Sequence, residues 1–149
     1  MSNTYRTVLY GKNLAAIWDG KDFNTIVPSK AEEYVQYITE DDATGVFGWR
    51  ERNWGCDGRI FDSDTKEDTI FLLTADASPM YIVSKLSSLL GDTILKHEYS
   101  DQSQCNDIIY HLKWQNGRMI EAKVSERNYE TDEYSVQEIS ITDEYNVPI

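Results

Sequence analysis

The stretch "DTIFLLTADASPMYIVSKLSSLLGD", Asp68 to Asp92, decides the fold. Its first part is rich in Thr, Ile, Phe and Leu and reads as a strand. From Ser78 the period changes. Ser78 stands at an N-cap, Pro79 at the first helical position and Gly91 at the C-terminal cap. Between them Ile82, Val83, Leu86, Leu89 and Leu90 recur at helical spacing, which predicts a buried stripe. A strand that runs directly into an amphipathic helix needs a sheet for that stripe to lie on.

The flanking sequence supplies the strands. "TYRTVLYG" (Thr4–Gly11) is a β-rich run closed by glycine. "GRIFDSD" and "DTIFLLTAD" flank Asp64–Glu67 and predict a β-hairpin. "TILKHEYS", "DIIYHLKWQNGRMIEAKVSE" and "EYSVQEISI" follow as strands, with Asn116–Gly117 as a hairpin turn. "GKNLAAIWDG" suits one or two helical turns ending at Gly20. "DFNTIVP" (Asp22–Pro28) reads as a short extended segment stopped by proline. "PSKAEEYVQYITE" predicts a helix with Ser29 and Glu32 as a capping box and Ala31, Tyr34, Val35 and Ile38 on one face. "EDDATGVFG" predicts a loop. The expected class is α+β, a mostly antiparallel sheet with helices on one face.

The chain has 149 residues, about one domain, and we read 1–149 as a single domain. Two cysteines, Cys56 and Cys105, form no CxxC pair, which speaks against a zinc site or a disulfide framework. No stretch approaches the roughly 20 apolar residues of a membrane span. The expected location is the cytoplasm of a bacterial host cell. Fourteen Lys and Arg face 26 Asp and Glu, for a net charge of −12. Such a surface repels nucleic acid and anionic membranes and attracts basic partners. The plainer reading is solubility.

"WRERNWGCDGRIF" (Trp49–Phe61) invites a catalytic reading, with Cys56 as nucleophile and His97 or His111 as base. The structural reading has Trp54 anchoring a tight loop, Gly55 and Gly58 permitting positive φ, and Cys56 as a small buried residue. Arg50, Arg52 and Arg59 beside Trp49 and Trp54 also suit single-stranded nucleic acid, against which stand Glu51, Asp57 and the global charge. "DSDTKED" begins like an EF-hand loop but lacks its glycine and has Leu73 where the bidentate Glu belongs. No nucleotide-binding, zinc-protease or serine-hydrolase motif occurs. We expect no catalytic residue, no cofactor and no metal.

The last segment is the more informative. In residues 121–149 eight acids face Lys123 and Arg127. Tyr129, Tyr134 and Tyr145 are interleaved with Glu130, Asp132, Glu133, Asp143 and Glu144, and these eight are the expected partner-binding residues. Carboxylates so spaced can stand where phosphates sit on a basic partner, while Tyr offers contact area at low entropy cost. An edge strand guarded by charge explains the acids equally well, but leaves the tyrosines unused.

Several of these marks together resemble one family. "FNTIVP" before a helix, "WRERNWG" before a hairpin, "LTADASPMYIVSKLSSLLGD" and "LKHEYSDQ" are similar to the YubB-type ferredoxin-like domain of phage and plasmid proteins. The matching positions are Asn53, Trp54, Gly55, Thr74, Ala75, Ser78 and Pro79, with Asn53, Trp54 and Gly55 as a structural loop. The resemblance covers about residues 4–120. Cys56, Asp57 and Gly58 depart from the Thr, Lys and aromatic residue expected there, and Asp76 stands in place of Trp. The resemblance implies a ferredoxin-like fold, here extended by a C-terminal strand, and a mobile-element setting. It implies no reaction. The expected function is inhibition of a basic nucleic-acid-handling complex of the anti-CRISPR or anti-restriction type. The alternatives are an immunity protein against a basic toxin nuclease and an enzyme using Cys56.

Overall fold

The computed structural model describes residues 3–18, 22–28, 46–103 and 107–147. The predicted helix at 29–40, Cys105 and the end of the first helix at Gly20 lie outside them. Eleven elements are described: β1 (Thr4–Tyr10), α1 (Leu14–Trp18), α2 (Phe23–Ile26), α3 (Val46–Trp54), β2 (Ile60–Lys66), β3 (Thr69–Ala75), α4 (Met80–Leu90), β4 (Leu95–Asp101), β5 (Ile108–Gln115), β6 (Arg118–Asn128) and β7 (Glu133–Glu138). The strands form one sheet in the order β2-β3-β1-β4-β5-β6-β7. Every neighbouring pair is antiparallel. The protein is α+β.

The strands alternate as a half-covered sheet requires. Thr7 and Leu9 of β1, Ile70, Leu72 and Thr74 of β3, Leu95 and His97 of β4, and Leu112 and Trp114 of β5 are all buried. α4 packs across β4, β5 and β6 and also touches α1, α2 and α3, so the helices share this one face.

Four readings need correction. Asp22–Pro28 is not extended: Asp22 caps α2, its side chain accepting from Thr25 N at 3.0 Å. That cap outweighs the β-branched composition of a segment too short for a helical period to show. The stretch from Val46 is helix rather than loop, and it runs through Trp49 to end at Trp54. The β2–β3 hairpin is tighter than expected. β2 runs to Lys66, which pairs with Thr69, and only Glu67 and Asp68 turn. Asp62 and Asp64 therefore sit on a strand, away from any cation loop geometry.

α4 starts one position later, with Pro79 as N-cap and Gly91 closing it at φ 66°. Ser78 makes no cap because its hydroxyl is engaged elsewhere. The buried arc of α4 includes Ser84 and Ser87, so it is centred near Val83 and leaves Leu89 at its rim, 51% exposed. Ser87 is small enough for the β5–β6 turn to approach, and its Oγ accepts from Gly117 N at 3.1 Å. Asn116 and Gly117 both have positive φ, 53° and 77°, as a two-residue hairpin turn demands.

Candidate interaction surface

The β6–β7 hairpin carries most of the acidic, tyrosine-bearing residues. Its turn is built by Asn128, whose Oδ1 accepts from Glu130 N at 2.9 Å, and by Asp132, at φ 57°. Both residue types tolerate such turns. Arg127 is the organising cation. Its Nε donates to Asp132 Oδ1 at 2.9 Å, and a terminal nitrogen lies 3.7 Å from Asp107. Its guanidinium lies over the rings of Tyr129 at 5.1 Å and Tyr134 at 6.0 Å. The Tyr129 hydroxyl is hydrogen-bonded to Asp107, which raises its pKa. Tyr129 and Tyr134 are thereby held in place while 52% and 66% exposed. Ordered, exposed aromatic rings give contact area with little further entropy loss.

Glu126, Arg127, Tyr129, Glu130, Glu133 and Tyr134 line an open groove of ≈ 620 Å³. Arg127 is already engaged by Asp132 and Asp107. Among the described residues no cation stands within ion-pair distance of Glu130, Glu133 or Glu138. The hairpin thus presents uncompensated carboxylates beside two fixed tyrosines.

Asp143, Glu144 and Tyr145 are not part of this patch. The chain runs on beside β6 after β7, with Ile139 N donating to Ala122 O and Val147 N to Gly117 O. Asn146 Oδ1 accepts from Met119 N at 3.0 Å, and Tyr145 packs edge-on against Tyr81 at 5.0 Å. Met119 and Asn128 lie near opposite ends of β6, about 30 Å apart at the usual strand rise. The single run of eight residues in the sequence is therefore two surfaces. Only Tyr129, Glu130, Asp132, Glu133 and Tyr134 stand together.

The stretch from Arg50 to Phe61 is held by the protein's own contacts. Trp54 is buried, donates from Nε1 to Val27 O at 2.9 Å and packs on Phe23. It is closed to any stacking base. Arg50 lies over the Trp54 ring, and Arg59 is bound by Asp57 and Asp76. Arg50 and Arg59 are thus engaged by the protein's own groups, while Arg52 is exposed. Cys56 is 1% exposed, and burial pushes its thiol up to about 12. A thiol held protonated is neither nucleophile nor ligand at neutral pH.

Neither histidine hydrogen-bonds Cys56. His111 is engaged by Glu98 and Ser125. His97 lies in a buried chain that sequence spacing did not show. Thr7 Oγ1, Ser78 Oγ and His97 Nε2 are linked at 2.8 and 2.9 Å, and Trp114 Nε1 reaches His97 Nδ1 at 3.3 Å. An indole N–H only donates, so Nδ1 accepts and the neutral ring carries its proton on Nε2. His97 then donates to Ser78, the reverse of what a base activating a serine must do. Burial lowers the His97 pKa to about 3, which keeps the ring neutral. A cleft of ≈ 280 Å³ lies beside this chain, lined by Tyr5, Ser78, Tyr99, Leu112, Met119 and Tyr145. Burial pushes the Tyr99 phenol up to about 12, so it holds its proton.

Among the described residues no group of three or more His, Cys, Asp and Glu converges as a metal cage would, and no helix is long and apolar enough to cross a membrane. Compared with known proteins, the chain matches no family model, no curated protein and no solved structure.

Proposed function

We propose that this chain is a non-catalytic binding protein whose β6–β7 hairpin docks on a basic surface of a bacterial nucleic-acid-handling complex and blocks it. The observation that carries the reading is the hairpin itself. Glu130, Glu133 and Glu138 have no cationic partner among the described residues, and Tyr129 and Tyr134 are fixed beside them by Arg127. Carboxylates left uncompensated on an ordered scaffold gain most from a partner's Lys and Arg, and tyrosines add the desolvated contact that turns attraction into affinity. The net charge of −12 steers the same encounter from a distance.

The proposed architecture is a ferredoxin-like core, β1 to β4, extended by β5, β6 and β7. Its support is the order β2-β3-β1-β4, with helices bridging β1 to β2 and β3 to β4. The mobile-element setting of the proposal, with an inhibitor of the anti-CRISPR or anti-restriction type, is supported by the similarity of Asn53, Trp54, Gly55, Thr74, Ala75, Ser78 and Pro79 to YubB-type domains.

The test is capture from bacterial lysate at low and at high salt, followed by challenge with nucleic acid. The reading expects a basic, nucleic-acid-binding protein that is held at low salt and released at high salt. It also expects that protein to be displaced by nucleic acid. Screening over a Debye length of about 8 Å at physiological salt sets the first effect. A partner whose capture is unchanged by salt and by competing nucleic acid overturns it.

A further inference from the structure

The hairpin that carries this reading ends the sheet, and among the described residues no strand pairs with its outer edge. β6 and β7 pair in one unbroken register, from Lys123↔Glu138 to Asn128↔Glu133. Ile139 N donates to Ala122 O, one step beyond that ladder. In an antiparallel pair the backbone groups point alternately toward and away from the partner. Ser135 and Gln137 therefore turn theirs toward β6, as Ile139 does. Tyr134, Val136 and Glu138 turn theirs outward, and among the described residues no hydrogen bond reaches them. All six residues of β7 are exposed, including Tyr134 at 66% and Val136 at 63%.

The other edge of the sheet is guarded differently. β2 is broken by a register shift between Ile60 and Asp62, a bulge of the kind that turns an edge away from new strands. β7 has no such break.

We propose that β7 is a strand-addition site: an extended, basic segment of the partner pairs antiparallel with Glu133–Glu138 as an eighth strand. The inference rests on the proposed function and specifies how the partner is held. Charge selects the occupant. Glu133 and Glu138 stand at the two ends of β7 on opposite faces, and Tyr134 and Val136 lie between them on one face. An added strand thus meets a carboxylate at its first and sixth positions and apolar side chains at its third and fifth. It should carry Lys or Arg at the first two and β-branched or aromatic residues at the others. A second copy of this chain fits less well, because it would set one body of net charge −12 against another.

The experiment titrates the full chain with a blocked peptide, Lys-Thr-Val-Thr-Val-Lys, and with the same residues in scrambled order. It is repeated on Val136→Pro. Proline there removes an outward N–H and blocks the edge, while the ladder to β6 keeps its bonds. The expected result is salt-sensitive binding of the patterned peptide. Both scrambling and Val136→Pro should weaken it by about tenfold or more. Should Val136→Pro unfold the hairpin, amide exchange on the native chain decides. The patterned peptide should slow exchange at Tyr134, Val136 and Glu138. Equal binding of both peptides, unaffected by Val136→Pro and with no slowed amide on β7, overturns strand addition and leaves the acidic-surface reading standing. No binding of either peptide at low salt removes both. A dimer in sedimentation that Val136→Pro abolishes assigns the edge to a second copy and overturns the basic-strand proposal.

Discussion

His97 shows how a residue that looks chemical can be structural. It is fully buried, accepts from Trp114 and donates to Ser78. Its folded pKa of about 3 lies below the ordinary 6.5. The unfolded chain therefore takes up a proton first as pH falls. The stability that His97 contributes is complete above pH 6.5 and is lost toward pH 3, at about 1.4 kcal/mol per pH unit inside that window. His97→Gln keeps a donor and an acceptor but binds no proton, so urea unfolding at neutral and mildly acid pH should show a smaller acid loss than in the native chain. An equal loss in both would contradict this assignment. Cys56 makes the matching case among thiols. In a Cys105→Ser background, Cys56 should resist a disulfide reagent at pH 7 until the protein is unfolded. Reaction of the folded protein at the rate of a free thiol would revive a catalytic role. The sequence told that Cys56 lacked a motif. It did not tell that Thr7, Ser78, His97 and Trp114 converge, because they come from β1, β4, β5 and the connection before α4, and only the folded sheet brings them together.

At the scale of elements, the strands, the long helix α4 and the short α1 were legible, and α2 and α3 were not. β1, β4, β5, β6 and β7 follow their composition and turn residues. α2 owes its existence to one cap, and α3 ends in a contact made far along the chain. Gly55, at φ 90°, closes α3, and a Cβ added there would lie 2.5 Å from Met80 N at the start of α4. Gly91, at φ 66°, faces open space. Gly55→Ala carries both the conformational penalty and a backbone clash, whereas Gly91→Ala carries only the first, about 1–3 kcal/mol. Thermal unfolding should rank Gly55→Ala clearly below Gly91→Ala. Equal destabilisation would mean that the close approach of α3 and α4 is not the reason for a glycine in Asn53–Gly55.

Across the whole molecule, the decisive quantity is where the charge of −12 sits. Lys113 and Lys123 are both drawn to Glu121, at 3.2 and 3.6 Å, and Arg127 to Asp132 and Asp107. Cations near β7 are thus used within the sheet, and among the described residues none stands within ion-pair distance of Glu130 or Glu133, while Glu138 lies opposite Lys123 in the ladder. Composition revealed the excess of acid but not its placement, because the chain continues beside β6 after β7 and carries Asp143 and Glu144 toward the Arg118 end of β6. Two variants separate placement from amount. Glu130→Gln/Glu133→Gln and Asp62→Asn/Asp64→Asn each remove two carboxylates, one pair from the β7 hairpin and one from the β2 edge. The measurement is capture of basic protein from lysate at low salt by the native chain and by each variant. The account predicts that the hairpin variant loses the partner while the β2 variant keeps it. Equal retention, or equal loss, in both variants would show that the hairpin is not the docking surface and that the charge acts only in bulk.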